Sequence, residues 1–66
     1  MKNSIKVERA RKSMTQADLA EQTKVSRQTI NAIELGKYIP SATLAIRIAK
    51  VFGVRVEEIF EIEDHD

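Results

Sequence analysis

Thr15 to Ser41 reads TQADLAEQTKVSRQTINAIELGKYIPS, and this stretch decides the fold. Thr15 is an N-cap residue type, and Asp18 is a short-armed capping-box partner three positions on. Together they predict a helix over residues 16–23 with Leu19 and Ala20 turned inward. Lys24-Val25 leaves room only for a tight link. Ser26 is a second N-cap, and it opens a helix over residues 27–35 that Gly36 stops from the C′ position. Lys37-Tyr38-Ile39-Pro40 then forms a loop, because Pro40 disfavours the helical region at Ile39.

The flanks read in the same way. Ile5 and Arg9 are one helical turn apart, and no breaker interrupts residues 4–12, so a first helix precedes the quoted stretch. Ser41 caps a fourth helix, whose inner face is Leu44, Ala45, Ile48, Ala49 and Phe52 and which ends at Gly53. Residues 56–60 make a short fifth helix. The acidic tail, residues 61–66, is expected to fray, although Phe60 and Ile62 are able to start a strand. There is no internal repeat and no low-complexity segment. The expected fold class is all-α, with five helices in one compact domain over residues 1–66.

Composition narrows the function. Sixty-six residues leave no room for a second domain, and a chain of this size buries only about 60% of its unfolded surface. With 42% apolar and 32% charged residues the chain reads as globular rather than disordered. It has no cysteine, and its one histidine is His65. Disulfides, thiolate metal sites and the usual histidine-based catalytic or zinc sites are therefore not expected. There is also no paired carboxylate or nucleophile–base pair on a common face, so an enzyme is not expected. No apolar run approaches the roughly 18 residues of a membrane span. Met1-Lys2-Asn3-Ser4 leads straight into charged sequence, unlike a signal peptide. The expectation is a cytoplasmic protein with no cofactor, no metal and no small-molecule effector.

The net charge of +1 conceals an asymmetry. Residues 1–40 carry eight Lys/Arg and four Asp/Glu, a balance of +4. Residues 41–66 carry three and six, a balance of −3. The first part suits a polyanion, and the acidic end would point away from it.

Two short helices joined by a tight turn, with a further helix running across them, make a helix-turn-helix. The residue types fit its close points. Ala20 is small where the two helices cross, Val25 plugs the angle between them, and Ile30 and Ile33 anchor the second helix. At about 100° per residue, the side opposite Ile30 and Ile33 holds Gln28, Asn31, Ala32 and Leu35, flanked by Arg27 and Thr29. Gln pairs bidentately with adenine and Arg with guanine, so this flank suits base edges in a major groove.

On Gln16, Leu19-Ala20, Val25-Ser26, Ile30, Glu34 and Gly36, the chain resembles the phage Cro/cI-repressor-like (xenobiotic-response-element type) helix-turn-helix regulators in their compact stand-alone form. The resemblance covers about residues 4–60. It implies a lambda-repressor-like five-helix fold with the motif at residues 16–35. It also implies a transcriptional regulator, here read as a repressor occupying a palindromic double-stranded DNA operator as a homodimer. DNA binding would associate it with the nucleoid. The resemblance assigns Gln16 to a phosphate and Arg27 and Gln28 to base edges. Thr29 and Asn31 go to phosphate or a flanking base, Ser26 to the DNA-facing helix start, and Lys37 and Tyr38 to the backbone. It places Arg9 and Glu34 as a structural ion pair between the first and third helices. Val54, Val56, Phe60 and Ile62 look surplus to one small core and are the expected dimer surface.

Some positions depart from the family pattern. Glu8 stands where an apolar residue or tyrosine is usual, so looser packing of the first helix is expected. Ser13 and Lys24 replace turn glycines, and Lys24 at positive φ would cost roughly 1 kcal/mol. Arg55 is a poor N-cap for the fifth helix. The competing function is an antitoxin-like or adaptor protein-interaction module on the same fold, which would need apolar anchors on the outward flank. Leu35 is the only one there.

Overall fold

The computed structural model describes residues 1–66. Five helices follow in order: α1 (Ile5–Arg11), α2 (Gln16–Thr23), α3 (Arg27–Glu34), α4 (Ala42–Phe52) and α5 (Val56–Ile59). The domain is thus mostly helical. Two short strands lie outside the all-α expectation: β1 (Lys2–Asn3) pairs antiparallel with β2 (Phe60–Glu61), Lys2 opposite Glu61 and Asn3 opposite Phe60. The fifth helix consequently ends at Ile59, and Phe60 leaves it in extended geometry.

Local chemistry explains the starts. Thr15 and Asp18 form a reciprocal capping box, each side chain accepting the other's backbone N–H at 3.0 Å. Ser26 accepts the Thr29 N–H at 3.1 Å and Ser41 the Leu44 N–H at 3.2 Å. Arg55 makes no side-chain cap.

The ends of α1 to α4 share one solution. Each is followed by a residue at positive φ: Ser13, Lys24, Gly36 and Gly53. In each the next N–H reaches back to a carbonyl five residues earlier: Met14 to Arg9, Val25 to Ala20, Lys37 to Ala32 and Val54 to Ala49. These are Schellman terminations. Met14, Val25 and Val54 then turn inward and pack against the core.

That core has twelve buried apolar residues, among them Ile5, Leu19, Ile30, Ile33 and Ile48, which are almost completely enclosed. Ala20 is buried between α2 and its neighbours, and α2 packs on both α3 and α4. Thr23 is also fully buried. Its hydroxyl is satisfied by donating to the Leu19 carbonyl at 2.8 Å.

Phe60 belongs to this core at 8% exposure, so it is not surplus. Val54 and Val56 are partly buried against the same core, and of the four residues expected to form a dimer surface only Ile62 is open, at 80%. The tail is also better tied than expected. The Met1 amine lies 2.9 Å from Asp66 and 3.3 Å from Glu63, and Asp66 accepts the Glu63 N–H at 2.8 Å. Glu8, half-buried on α1, faces Arg11 at 3.4 Å. No helix is long and apolar enough to cross a membrane.

Candidate nucleic-acid interface

The α3 helix has eight residues, too few to persist alone in water, where about 12–15 are marginal. It stands because Ile30 and Ile33 are buried at 0% and 1% and because both ends are held. At its start Ser26 caps Thr29, and the two hydroxyls lie 3.0 Å apart. At its end Asn3 on β1 donates to the Ile33 carbonyl at 2.8 Å, while the Asn3 side-chain oxygen accepts the Ile5 N–H at 3.2 Å. One side chain thus starts α1 and secures the end of α3. Sequence reasoning assigned Asn3 nothing, and its only signal was an Asx residue just ahead of a helix.

A polar network braces the outer side of α3. The Arg9 guanidinium donates to both Glu34 oxygens, from Nε to Oε2 at 2.6 Å and from Nη2 to Oε1 at 3.0 Å. Its Nη1 donates to the Met14 carbonyl at 2.9 Å, which ties the α1–α2 turn into the same pair. The side-chain exposures are 15% for Arg9 and 7% for Glu34, so this is a fork-to-fork pair largely sheltered from water. The Glu34 hydrogen bond, opposed by burial, raises the Arg9 pKa further above its ordinary value. The Gln16 amide nitrogen, at the first position of α2, donates to Glu34 Oε1 at 3.3 Å and to Asn31 Oδ1 at 3.1 Å. Both of its hydrogens are therefore used inside the protein.

The remaining candidates lie open except Thr29. Arg27, Gln28 and Asn31 are exposed along one flank of α3. The backbone N–H groups of Arg27 and Gln28 make no hydrogen bond within the chain, nor does that of Gln16 at the start of α2. Helix N-termini with open N–H groups attract anions. Lys37 and Tyr38 follow the Gly36 turn and are exposed, Tyr38 at 51%. Thr29 is half-buried with its hydroxyl against Ser26. Arg27, Gln28 and Asn31 thus form one outward polar surface, with Gln16 behind it. Lys37 and Tyr38 stand off the far end of the helix, beside Leu35. The acidic tail lies at that far end too, where Glu63 shares a shallow cleft with Met1, Leu35 and Gly36.

The chain is similar to known proteins in sequence and in fold. The family model described as helix-turn-helix matches residues 5–59. An uncharacterized HTH-type transcriptional regulator of Methanocaldococcus jannaschii is 58% identical over 66 residues, covering both chains completely. The uncharacterized HTH-type transcriptional regulator YgzD of Bacillus subtilis is 44% identical over the same complete span. Among solved structures, the clp gene regulator ClgR from Corynebacterium glutamicum superposes with a TM-score of 0.76 at 28% identity. That match covers 82% of this chain and 57% of ClgR, so this chain spans little more than half of that protein. The first two are named as HTH-type transcriptional regulators and the third as a gene regulator. Matched over residues 5–59 by the family model and over its whole length by two of these relatives, the chain belongs to the helix-turn-helix transcriptional regulators.

Proposed function

We propose that this regulator is a sequence-specific repressor that binds a palindromic double-stranded operator as a homodimer, with α3 in the major groove. The observation that carries the reading is the exposed polar flank of α3, held rigidly from behind by Arg9, Glu34 and Gln16. Eight helical residues span about 12 Å, the width of a B-DNA major groove. Arg27 and Gln28 stand on the first turn, where a recognition helix meets base edges. Gln16 contacts phosphate through its open backbone N–H, since its side-chain donors are taken. Ser26 and Thr29 hold the start of the helix against the duplex, and Lys37 and Tyr38 meet the backbone. Such phosphate contacts set register and carry no sequence information. Binding chromosomal DNA places the protein inside the cell.

The dimensions support a dimer. The molecule is 31 Å in its longest direction and presents one recognition helix. Two half-sites one turn apart are separated by about 34 Å, so a second copy is required to read both. An open apolar groove of about 430 Å³, lined by Ile39, Pro40, Val56, Phe60 and Ile62, is the face for that copy. Ile39 and Ile62 are 51% and 80% exposed there. This dimer face keeps Val56, Phe60 and Ile62 of the four residues expected from the sequence, leaves out Val54, and adds Ile39 and Pro40 from the loop after α3.

Selection from a random duplex library tests the reading. The expected product is one enriched inverted repeat with half-sites about one helical turn apart. Recovery of no preferred sequence at moderate ionic strength would overturn it.

A further inference from the structure

We propose that Asn31 meets the duplex as a hydrogen-bond donor only, with its amide locked in one orientation by the chain Arg9–Glu34–Gln16. This rests on the DNA-binding reading above and says what one position of the reading surface accepts.

A free asparagine is ambivalent. Turning its amide by 180° exchanges the NH₂ for the oxygen, and using both together is how Asn pairs bidentately with adenine. Here that freedom is removed step by step. Arg9 occupies Glu34 from one side through two hydrogen bonds. An ionised carboxylate only accepts, so Gln16 must present its nitrogen, not its oxygen, to Glu34 Oε1, as found at 3.3 Å. The second hydrogen on that nitrogen faces Asn31, so Asn31 must present its oxygen, as found at 3.1 Å. The Asn31 nitrogen is left on the exposed flank. Its oxygen is turned back towards the protein.

The DNA group opposite Asn31 must then be an acceptor: a phosphate oxygen, or N7, O6 or O4 on a base edge. The amino groups of adenine N6 and cytosine N4 are refused, because they would face a donor. Gln16 is accordingly a positioning residue for Asn31, and Arg9 and Glu34 position Gln16. The pair between α1 and α3 thereby acts on what the reading surface accepts as well as on stability.

The test has one arm without DNA and one with it. In the free protein, side-chain amide NMR should show the Gln16 hydrogens exchanging with water more slowly than those of Asn31. Equal exchange would overturn the relay regardless of any operator. On the selected operator, Asn31→Asp, which puts an anionic acceptor where the donor stood, should weaken binding on the order of a hundredfold. Acceptors on the duplex are then deleted singly, using base analogues lacking N7, O6 or O4 in one series and methylphosphonates in the other. One deletion should weaken the wild type by about tenfold yet leave Asn31→Ala unaffected. The series containing it says whether base or phosphate is the partner. In Gln16→Met, of similar length but without an amide, that sensitivity should shrink because Asn31 is free to turn. An Asn31→Asp variant that binds like wild type overturns the proposal, as does unchanged sensitivity in Gln16→Met or the lack of any deletion that depends on Asn31. Each of these leaves the operator itself standing. Failure to enrich any duplex removes the DNA-binding reading and this inference with it.

Discussion

Lys24 sits at φ +62° and Ser13 at φ +52°, in a region that L-residues with a side chain enter at a cost. The other two helix ends of this kind use Gly36 and Gly53. Lys24→Gly relieves that strain, while the added freedom of the unfolded chain offsets part of the gain. Urea unfolding should show the variant more stable by about 0.5 kcal/mol, and no gain would mean the turn holds Lys24 through something besides its backbone. The residues proposed to face DNA divide differently. Gln28→Ala should cost about 1–3 kcal/mol on the selected operator and relax one base position. Equal loss on every duplex would place Gln28 on phosphate instead. Lys37→Ala should weaken all duplexes similarly and lower the slope of log K against log salt by about one, and an unchanged slope removes it from the phosphate contacts.

At the level of elements, the two motif helices have eight residues each and depend on their caps and on burial. In α2 the backbone N–H of Thr15, and then its hydroxyl, hold the Asp18 carboxyl below the ordinary carboxylate range. A carboxyl with a lowered folded pKa contributes stability that is present above its unfolded pKa and lost as pH falls through the folded one. Thermal unfolding of Asp18→Asn should therefore show a lower Tm than wild type near neutrality. The gap should close as pH drops below about 4. Asp66, lowered chiefly by the Glu63 N–H and also by the Met1 amine, titrates in both proteins and cancels from the comparison. A gap that persists unchanged at low pH would mean the Asp18 charge contributes nothing to the cap.

For the whole molecule, the two-stranded clasp decides how the ends relate to α3. Asn3 on β1 holds α3, and β1 holds β2, so the tail is fastened to the end of α3 rather than trailing free. This brings Ile62 beside Ile39 and Pro40 from the loop after α3, in one groove. A charge in that groove should separate the proposed dimer while leaving each fold intact, since Ile39 and Ile62 lie outside the core. Ile39→Asp should sediment as a monomer at concentrations where wild type is dimeric. It should also bind a single half-site as wild type does but lose the advantage of the inverted repeat. Unchanged sedimentation of wild type and variant would place the dimer contact elsewhere.

The helices, their caps and their stops were legible because each depends on neighbours within about five residues. Thr15 with Asp18, Ser26, Ser41, Gly36 and Gly53 act through their own backbone turns. The polar flank of α3 was legible for the same reason, since a helix of known period has a computable face. The β1–β2 pairing was not, because two strands of two residues have no periodicity and join ends that are far apart in sequence. Burial of Phe60 followed from that pairing. The double role of Asn3 and the use of both Gln16 hydrogens were equally hidden, since hydrogen bonds between distant residues depend on where the packed core sets each backbone. Residue order was enough to choose the motif and the side it shows to solvent. Packing assigned each donor and acceptor its partner, because only a closed core brings Arg9, Gln16, Asn31 and Glu34 within hydrogen-bonding reach of one another.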